Sequence, residues 1–419
     1  MNVSVIVIGD ELLIGQVVDT NSGELARQMA PWGWRVADVQ TVADDADAIT
    51  RAIDRAMELS DIVLTTGGLG PTKDDITKGV LCDYFGGELR LDEATLENVR
   101  RVVSRRGIAL NRLTADQAIV PTSATIIQNE VGTAPITWFE RDGKVLVSMP
   151  GVPFETRQMF AEKVFPMLRR RFGTDVAIRH STLIVTGYTE SALAMKIADW
   201  ETALPPHLHL AYLPRPGVIR LRLDGTHRDE KFITAEVDRY AGELAGMLGD
   251  AVLATDDLSP AEILLHDAGQ QGMMIATAES CTGGNIAHSI TMIPGSSAAM
   301  QGGIVAYSNE VKRRILNVSA DDLDRYGAVS IPVVEQMARG ACEATGATIA
   351  MATSGIAGPG GGTEEKPVGT VCIAVAMKTA DGWKTYSETA RFPGNRPRVI
   401  DAATTRALIL AIKLLRGQL

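Results

Sequence analysis

Three short apolar runs, each ending in a polar turn, constrain this chain more than any other feature. Val3 to Ile8 runs into Gly9-Asp10-Glu11. Asp61 to Thr65 opens into Thr66-Gly67-Gly68-Leu69-Gly70-Pro71-Thr72-Lys73-Asp74-Asp75. Met273 to Ala276 leads through Thr277 to Glu279-Ser280-Cys281-Thr282-Gly283-Gly284. Nearly continuous apolar runs of this length read as strands buried on both faces. Helical patterns fall between them: Asn21-Ser22 caps one with Leu25 and Met29 among its apolar positions, and Ala48 to Leu59 makes another. The alternation predicts an α/β fold with mostly parallel sheets and ligands at the carboxyl ends of the strands.

At 419 residues the chain exceeds a single core, so two or three domains are expected. The best linker is Asp256-Asp257-Leu258-Ser259-Pro260, with Ser259 as N-cap and Pro260 as first helical residue. The divisions drawn are 1–171, a small α+β unit over 172–255, and 256–419. Later strands are expected at Met273 to Ala276, Gly303 to Tyr307, Ile349 to Thr353 and Thr370 to Met377, with a closing helix from about Pro397 to Leu415. A net charge of −10 argues against broad binding to a phosphate backbone, so no direct nucleic-acid partner is expected. Arg100 to Arg106 reads as a solvated helical face. No apolar run is long enough to span a bilayer, and the N-terminus lacks the basic start of a signal peptide. Cys82, Cys281, Cys342 and Cys372 lie far apart without a CxxC pair, which suits buried thiols and a cytoplasmic protein.

The chemistry concentrates in two places. In the last third, Ser296-Ser297 follows Gly295, Tyr307 ends a strand pattern, and Lys312 lies one helical turn beyond Ser308-Asn309. Serines, a tyrosine and a lysine in one short span suit a Ser–Lys nucleophile site. The competing reading is that Gly-Ser turns cap helices and the lysine is a surface one. The loop Thr353-Ser354-Gly355-Ile356-Ala357-Gly358 follows an apolar strand, which favours a ligand loop over a flexible linker, and Arg396 at the last helix reads equally as a phosphate clamp or a surface arginine. In the first third, the glycines of the Gly67–Asp75 loop let the backbone approach a diphosphate, and Asp74 and Asp75 are candidates for holding Mg²⁺ against it. The competing reading makes Asp74 a helix cap. Asp10 and Glu11, at the end of another strand of the same sheet, favour a single site.

Three motif sets together resemble one family over the whole chain. TAESCTGG, PGSS, GGIVAYSNEVK, GAVS, SGIAGPGGG and EEKPVGTV resemble the CinA C-terminal domain, while GDELLIGQVVDTNS, TTGGLGPTKDDIT, VGTAP and MPGVPFE resemble the molybdopterin-binding-type domain of the same proteins. The middle unit matches their connecting domain in position only. The resemblance implies a three-layer α/β first domain, a small α+β middle domain and a C-terminal α/β domain. It implies a C-terminal amidase that converts nicotinamide mononucleotide to nicotinate mononucleotide and ammonia without a cofactor. It also implies an N-terminal ADP-ribose pyrophosphatase that uses a divalent metal, Mg²⁺ or similar, and a homodimer. Fitted to the amidase, Ser297 is the nucleophile, Lys312 its base and Tyr307 the assistant, with Ser280 the reserve nucleophile. Glu279, Thr282, the N–H groups of Gly283 and Gly284, and Asn309 bind the substrate or oxyanion. Ser354, Gly355 and Arg396 take the ribose phosphate. The N-terminal nucleotide site draws on Asp10, Glu11, Asp19, Asn21, Gly67, Gly68, Gly70, Pro71, Thr72 and Thr133, with Asp74 and Asp75 as metal ligands. The competing classes are an enzyme of molybdenum-cofactor metabolism and a non-catalytic competence factor.

Overall fold

Every residue of β1 (Asn2–Ile8) after the first is buried, as a central parallel strand requires. The computed structural model describes residues 1–173 and 176–419. The strands that follow are β2 (Arg35–Val42), β3 (Ile62–Thr66), β4 (Leu89–Leu91), β5 (Ile119–Pro121), β6 (Thr125–Ile127), β7 (Ile136–Arg141) and β8 (Lys144–Met149). Six of them form one sheet in the order β2-β1-β3-β8-β7-β6, while β4 and β5 pair separately. β2, β1, β3 and β8 run parallel; β7 and β6 add an antiparallel edge. The chain leaves β1 to one side for β2 and returns to the other for β3. The crevice at that reversal lies at the ends of β1 and β3, where Gly9 and Gly67 begin their loops.

The middle strands are β9 (Ala177–Val185), β10 (Leu208–Arg215), β11 (Val218–His227) and β12 (Val252–Ala254), ordered β10-β11-β9-β12. The helices Glu190–Thr202 and Glu230–Leu248 complete a β-α-β-β-α-β unit. The last five strands are β13 (Ile275–Glu279), β14 (Met300–Val305), β15 (Ile349–Gly355), β16 (Thr370–Thr379) and β17 (Gly382–Arg391), ordered β14-β13-β15-β16-β17. β14, β13 and β15 are parallel, and β16 and β17 antiparallel. β13 is again flanked on both sides by later parallel strands, so a second reversal crevice opens beyond Glu279. The expected strands at 273–276 and 303–307 are displaced to 275–279 and 300–305. β17 has no apolar run; only its pairing with β16 makes it a strand. No helix of the described residues is long and apolar enough to cross a membrane.

By internal contacts the chain divides into two compact units: residues 1–179 with 226–233, and 180–225 with 234–419. The middle sheet therefore groups with the C-terminal sheet. Ile184, Val218 and Leu253 of the middle strands lie in one apolar cluster with Leu264, Leu408 and Ile409. Ser259 caps the first helix of the C-terminal fold as its sequence announces. Its hydroxyl accepts from Glu262 N at 3.3 Å, and the Glu262 carboxylate accepts from Ser259 N at 2.7 Å.

The helix Asn309–Leu316, which carries Lys312, is seated by a close approach. A Cβ on Gly340, in the helix Ile331–Thr345, would lie 2.1 Å from the Leu316 carbonyl oxygen. On helix propensity alone, Gly340→Ala would stabilise by about 1 kcal/mol. The clash reverses that sign, so the variant is expected to unfold at a lower temperature than the parent. A thermal midpoint equal to or above the parent's would contradict this seating.

Candidate functional site

The candidate active site of the second unit is built where β13, β14 and β15 end. Ser280 follows β13 directly, and its N–H donates to Thr353 O of β15 at 2.9 Å. Ala306 follows β14, and its N–H donates to Glu279 O at 2.8 Å. These bonds extend the ladder one residue beyond each strand and hold Ser280 between its neighbours. Lys312 comes back from the next helix into this gap and is only 1% exposed. Its Nζ donates to Ala306 O at 2.7 Å and to Tyr307 O at 3.3 Å, and lies 3.2 Å from Ser280 Oγ. Among the described residues no carboxylate forms an ion pair with it. Burial pushes the Lys312 amine below the ordinary lysine range, because an unpaired ammonium loses its hydration there. A neutral amine has two hydrogens and one lone pair. In the neutral form, with both hydrogens on the carbonyls, the lone pair would face Ser280 Oγ.

These two side chains open onto a cavity of about 230 Å³ that also takes in Tyr307, Asn309, Ser354, Gly355 and Arg396. Arg396 donates to Gly358 O at 3.0 Å and to the Tyr307 hydroxyl at 3.3 Å, so it spans the mouth. Tyr307 thus presents its carbonyl to Lys312 and its ring hydroxyl to Arg396. Ser354 Oγ donates to Ala328 O at 2.7 Å. Cys281 also lines the cavity, and burial pushes its thiol up to about 12, which keeps it un-ionised at neutral pH.

Four sequence expectations need correction here. Ser297 does not meet Lys312 within the chain. It precedes β14, whereas Tyr307 follows it, and a six-residue strand separates the two by about 20 Å. Sequence proximity misled because the intervening segment is extended. Glu279 does not face the cavity. It is fully buried and accepts from Gly284 N, Ile286 N and Ala287 N at 2.9, 3.0 and 2.9 Å, closing the start of the helix Asn285–Thr291. Gly284 N is therefore engaged, and Gly283 N donates to Ser280 O at 3.2 Å, so neither supplies the oxyanion donor assigned to it. Thr282 Oγ1 pairs with Thr353 Oγ1 at 2.7 Å beneath the cavity. The carbonyls of Ala306 and Tyr307 were missed altogether, since backbone acceptors leave no sequence signal.

In the first unit, a cavity of about 380 Å³ sits at the β1–β3 crevice. Its walls include Glu11, Asp44, Gly67, Gly68, Gly70 and Asp74. Gly67 has φ 110°, and a Cβ there would lie 2.0 Å from Ile8 O, so only glycine permits this approach of β3's loop to β1. Asp10 and Asp44 exchange hydrogen bonds through their N–H groups and carboxylates. Burial, with the charges of Asp10, Glu11 and Asp75, holds the Asp44 carboxyl above its ordinary value. Asp44 had drawn no attention in the sequence, because nothing local marks it.

Several expected residues serve the scaffold instead. Asp75 accepts from Gly70 N, Thr72 N and Thr72 Oγ1 at 2.7, 2.9 and 2.5 Å, which fixes the glycine loop and engages both oxygens. Asp75 is therefore not a free metal ligand. Asp19 accepts from Asn21 N and Ser22 N. Asn21 donates to Thr66 Oγ1 and Gly151 O. Both line the cavity while bracing it. Pro71, Thr72 and Thr133 are not among its walls. No group of three His, Cys, Asp or Glu side chains among the described residues converges as a metal cage. The donor chemistry still suits a hard cation of the Mg²⁺ kind, which needs only one or two carboxylates beside substrate phosphates and water. Glu11, Asp44 and Asp74 are the carboxylates lining the cavity whose oxygens could meet it.

Three family descriptions match consecutive parts of the chain. "Probable molybdopterin binding domain" matches residues 4–170, "Damage-inducible protein CinA KH domain" matches 180–254, and "CinA C-terminal domain" matches 258–415. A CinA-like protein of Cytophaga hutchinsonii is 43% identical over 376 residues, covering 89% of each chain. One from Chloroherpeton thalassium is 39% identical over 421 residues and covers 100% of both. Among solved structures, the competence/damage inducible protein CihA from Agrobacterium tumefaciens is 42% identical, covering 37% of this chain and 93% of that one, with a TM-score of 0.36.

The role found for Glu279 has a measurable consequence. Glu279→Gln keeps the volume but replaces one accepting oxygen with an NH₂ that faces backbone N–H groups. Loss of charge-assisted hydrogen bonds in a buried place is expected to lower stability by roughly 1–3 kcal/mol in denaturant unfolding. An unchanged unfolding midpoint would return Glu279 to the list of substrate contacts.

Proposed function

Because the chain belongs to the CinA family, we propose that its C-terminal fold hydrolyses the carboxamide of nicotinamide mononucleotide, with Ser280 as nucleophile and Lys312 as base. The observation that carries the reading is the buried lysine whose amine lies 3.2 Å from a serine hydroxyl. Lys312 takes the Ser280 proton as Oγ attacks the carboxamide carbon. The C=O π bond opens to an oxyanion. As the carbonyl re-forms, the C–N bond breaks, and the proton on Lys312 passes to the leaving nitrogen, which departs as ammonia. The resulting ester is cleaved by water, deprotonated by the same amine, and Ser280 regains its proton as nicotinate mononucleotide leaves. Arg396 takes the phosphate at the mouth, exchanging its bond to Tyr307 for one to the ligand. The cationic pyridinium beside Lys312 helps to keep the amine neutral.

For the N-terminal fold we propose hydrolysis of the pyrophosphate of ADP-ribose to AMP and ribose 5-phosphate. The Gly67–Gly70 loop offers close backbone approach to phosphates, and the carboxylates of Glu11, Asp44 and Asp74 would hold a divalent cation that offsets the phosphate charge. The molybdopterin reading is served by the same crevice. Incubation with nicotinamide mononucleotide and, separately, with ADP-ribose and Mg²⁺, followed by separation of products, tests both activities at once. On this proposal the protein works as a homodimer in the cytoplasm.

Lys312→Met retains the apolar stem and removes the amine. It is expected to lower ammonia release by about 10²–10⁴-fold while the thermal midpoint stays near the parent's. In the parent, kcat/KM is expected to rise with pH as the amine loses its proton, with a midpoint below the ordinary lysine value of 10.5. A variant that retains near-normal turnover, or a profile falling over that limb, removes Lys312 from the role of base.

A further inference from the structure

A recess of about 600 Å³ opens on the first unit, larger than either cavity above and within the size range of small-molecule sites. It shares no lining residue with the β1–β3 crevice. Its walls come from the helix Asn21–Met29, from Trp32, and from the helical run 153–172. That run is irregular. At Phe160–Val164 it widens into a π-helical turn, in which the Phe165 N–H donates to Phe160 O. Pro166 accounts for the widening, since its ring would press on the carbonyl of Glu162 in a regular helix. With Phe165 N engaged by Phe160 O and no N–H on Pro166, the Ala161 carbonyl is left without a helical donor. Ala161 lines the recess. Single π turns recur at functional sites.

A second acceptor there is fixed in place. Gln28 lines the recess, and its Oε1 is buried with no donor. The amide cannot turn over to relieve this, because Nε2 donates to Glu24 Oε1 and to Arg157 O, both at 3.2 Å and both able only to accept. The charges are also unequal. Glu24 is engaged by Arg27, Arg157 and Gln28. Arg169 makes no ion pair among the described residues, and its guanidinium lies over the ring of Trp32. The recess therefore keeps a positive charge without a counter-ion, beside two aromatic side chains, Trp32 and Phe154, that are 40% and 63% exposed.

We propose that this recess is a second nucleotide site of the first unit, which takes an amino-bearing aromatic anion of the adenine-nucleotide class without a metal. The phosphate meets Arg169, as a guanidinium without a carboxylate partner favours. The base packs on the exposed aromatic surface of Trp32 and Phe154. Its exocyclic amine donates to Gln28 Oε1, which satisfies the buried acceptor. A base with a carbonyl in that position is disfavoured, because Gln28 has no free N–H to turn towards it. Pro153 walls the crevice while Phe154 and Arg157, on the same helix, wall the recess, so an occupant here bears on the helix that edges the crevice. Neither activity proposed above is needed for this binding.

Titration calorimetry of the full chain tests the site by binding alone. It is run with a chelator present, so that the crevice has no cation to offset a phosphate. AMP is expected to bind saturably. Ribose 5-phosphate, which lacks the base, and inosine monophosphate, which has a carbonyl in place of the amine, are each expected to bind roughly 10-fold more weakly. Arg169→Gln is expected to weaken AMP by a similar factor while its thermal midpoint stays near the parent's. Gln28→Leu is expected to bring AMP and inosine monophosphate to equal affinity, an effect that general loosening of the fold does not produce. Asp74→Asn and Arg396→Gln, in the two cavities described above, are expected to bind AMP as the parent does. No saturable binding overturns the site, as does equal affinity of the parent for AMP and ribose 5-phosphate. Binding that survives Arg169→Gln unchanged but fails in Asp74→Asn or Arg396→Gln places the nucleotide in one of the other cavities and refutes the proposal.

Discussion

The amine of Lys312 sits on two main-chain carbonyls in a place nearly closed to water, and no carboxylate of the described residues accompanies it. Burying an unpaired ammonium costs several kcal/mol even after relaxation. Burial therefore favours the neutral form of the amine, and the neutral form is the one that can accept a proton. Local structure elsewhere in this unit follows from the need to keep this contact. The end of β14 supplies the carbonyls and the end of β13 supplies Ser280. Gly340 lets the lysine's helix sit against its neighbour, and Glu279 pins the helix that follows the serine.

The two cavities use one topological device with opposite electrostatics. In each, a parallel strand is flanked on both sides by later strands, and the loops diverge to leave a crevice. In each, a carboxylate beside the crevice is consumed by backbone N–H groups: Asp75 by Gly70 and Thr72, Glu279 by the turn into its helix. The remaining charges then differ in sign. Glu11, Asp44 and Asp74 make the first crevice acidic, so a phosphate ligand is favoured there only with a cation. Arg396 faces the second, where its guanidinium supplies a positive charge to an anionic ligand.

The parallel strands were legible because burial on both faces leaves a run of apolar residues, as at Val3–Ile8 and in Ile349–Gly355. β17 was not, since one neighbour and a half-exposed face leave no periodicity that a loop lacks. The Gly67 loop was readable as a close approach because glycine is the residue that tolerates φ 110° against a carbonyl. Roles within the loops were less readable. Whether an acidic side chain meets solvent or turns back on its own backbone depends on atoms far away in sequence or on main-chain donors, and Asp75 and Glu279 look no different in sequence from free carboxylates. Which serine lies beside Lys312 was unreadable for a related reason: Ser297 is nearer than Ser280 to Lys312 in sequence, but an extended strand carries it away while a parallel neighbour brings Ser280 in.

The same crevice explains why an alcohol and not a thiol is the partner of the lysine. Cys281 adjoins Ser280 and is intrinsically the better nucleophile once ionised. It is packed into the apolar side of the turn, 6% exposed, and burial holds its thiol protonated across the physiological range. Ionising it there would place an anion in a medium that also disfavours the ammonium of Lys312. Attack by an alcohol with concerted proton transfer to a neutral amine moves a proton over one hydrogen bond and creates separated charge only as the oxyanion forms. A dry pocket disfavours a pre-formed thiolate and leaves that concerted route open. The burial that lowers the Lys312 pKa therefore also keeps the neighbouring thiol protonated, which favours Ser280 over Cys281 in the proposed role.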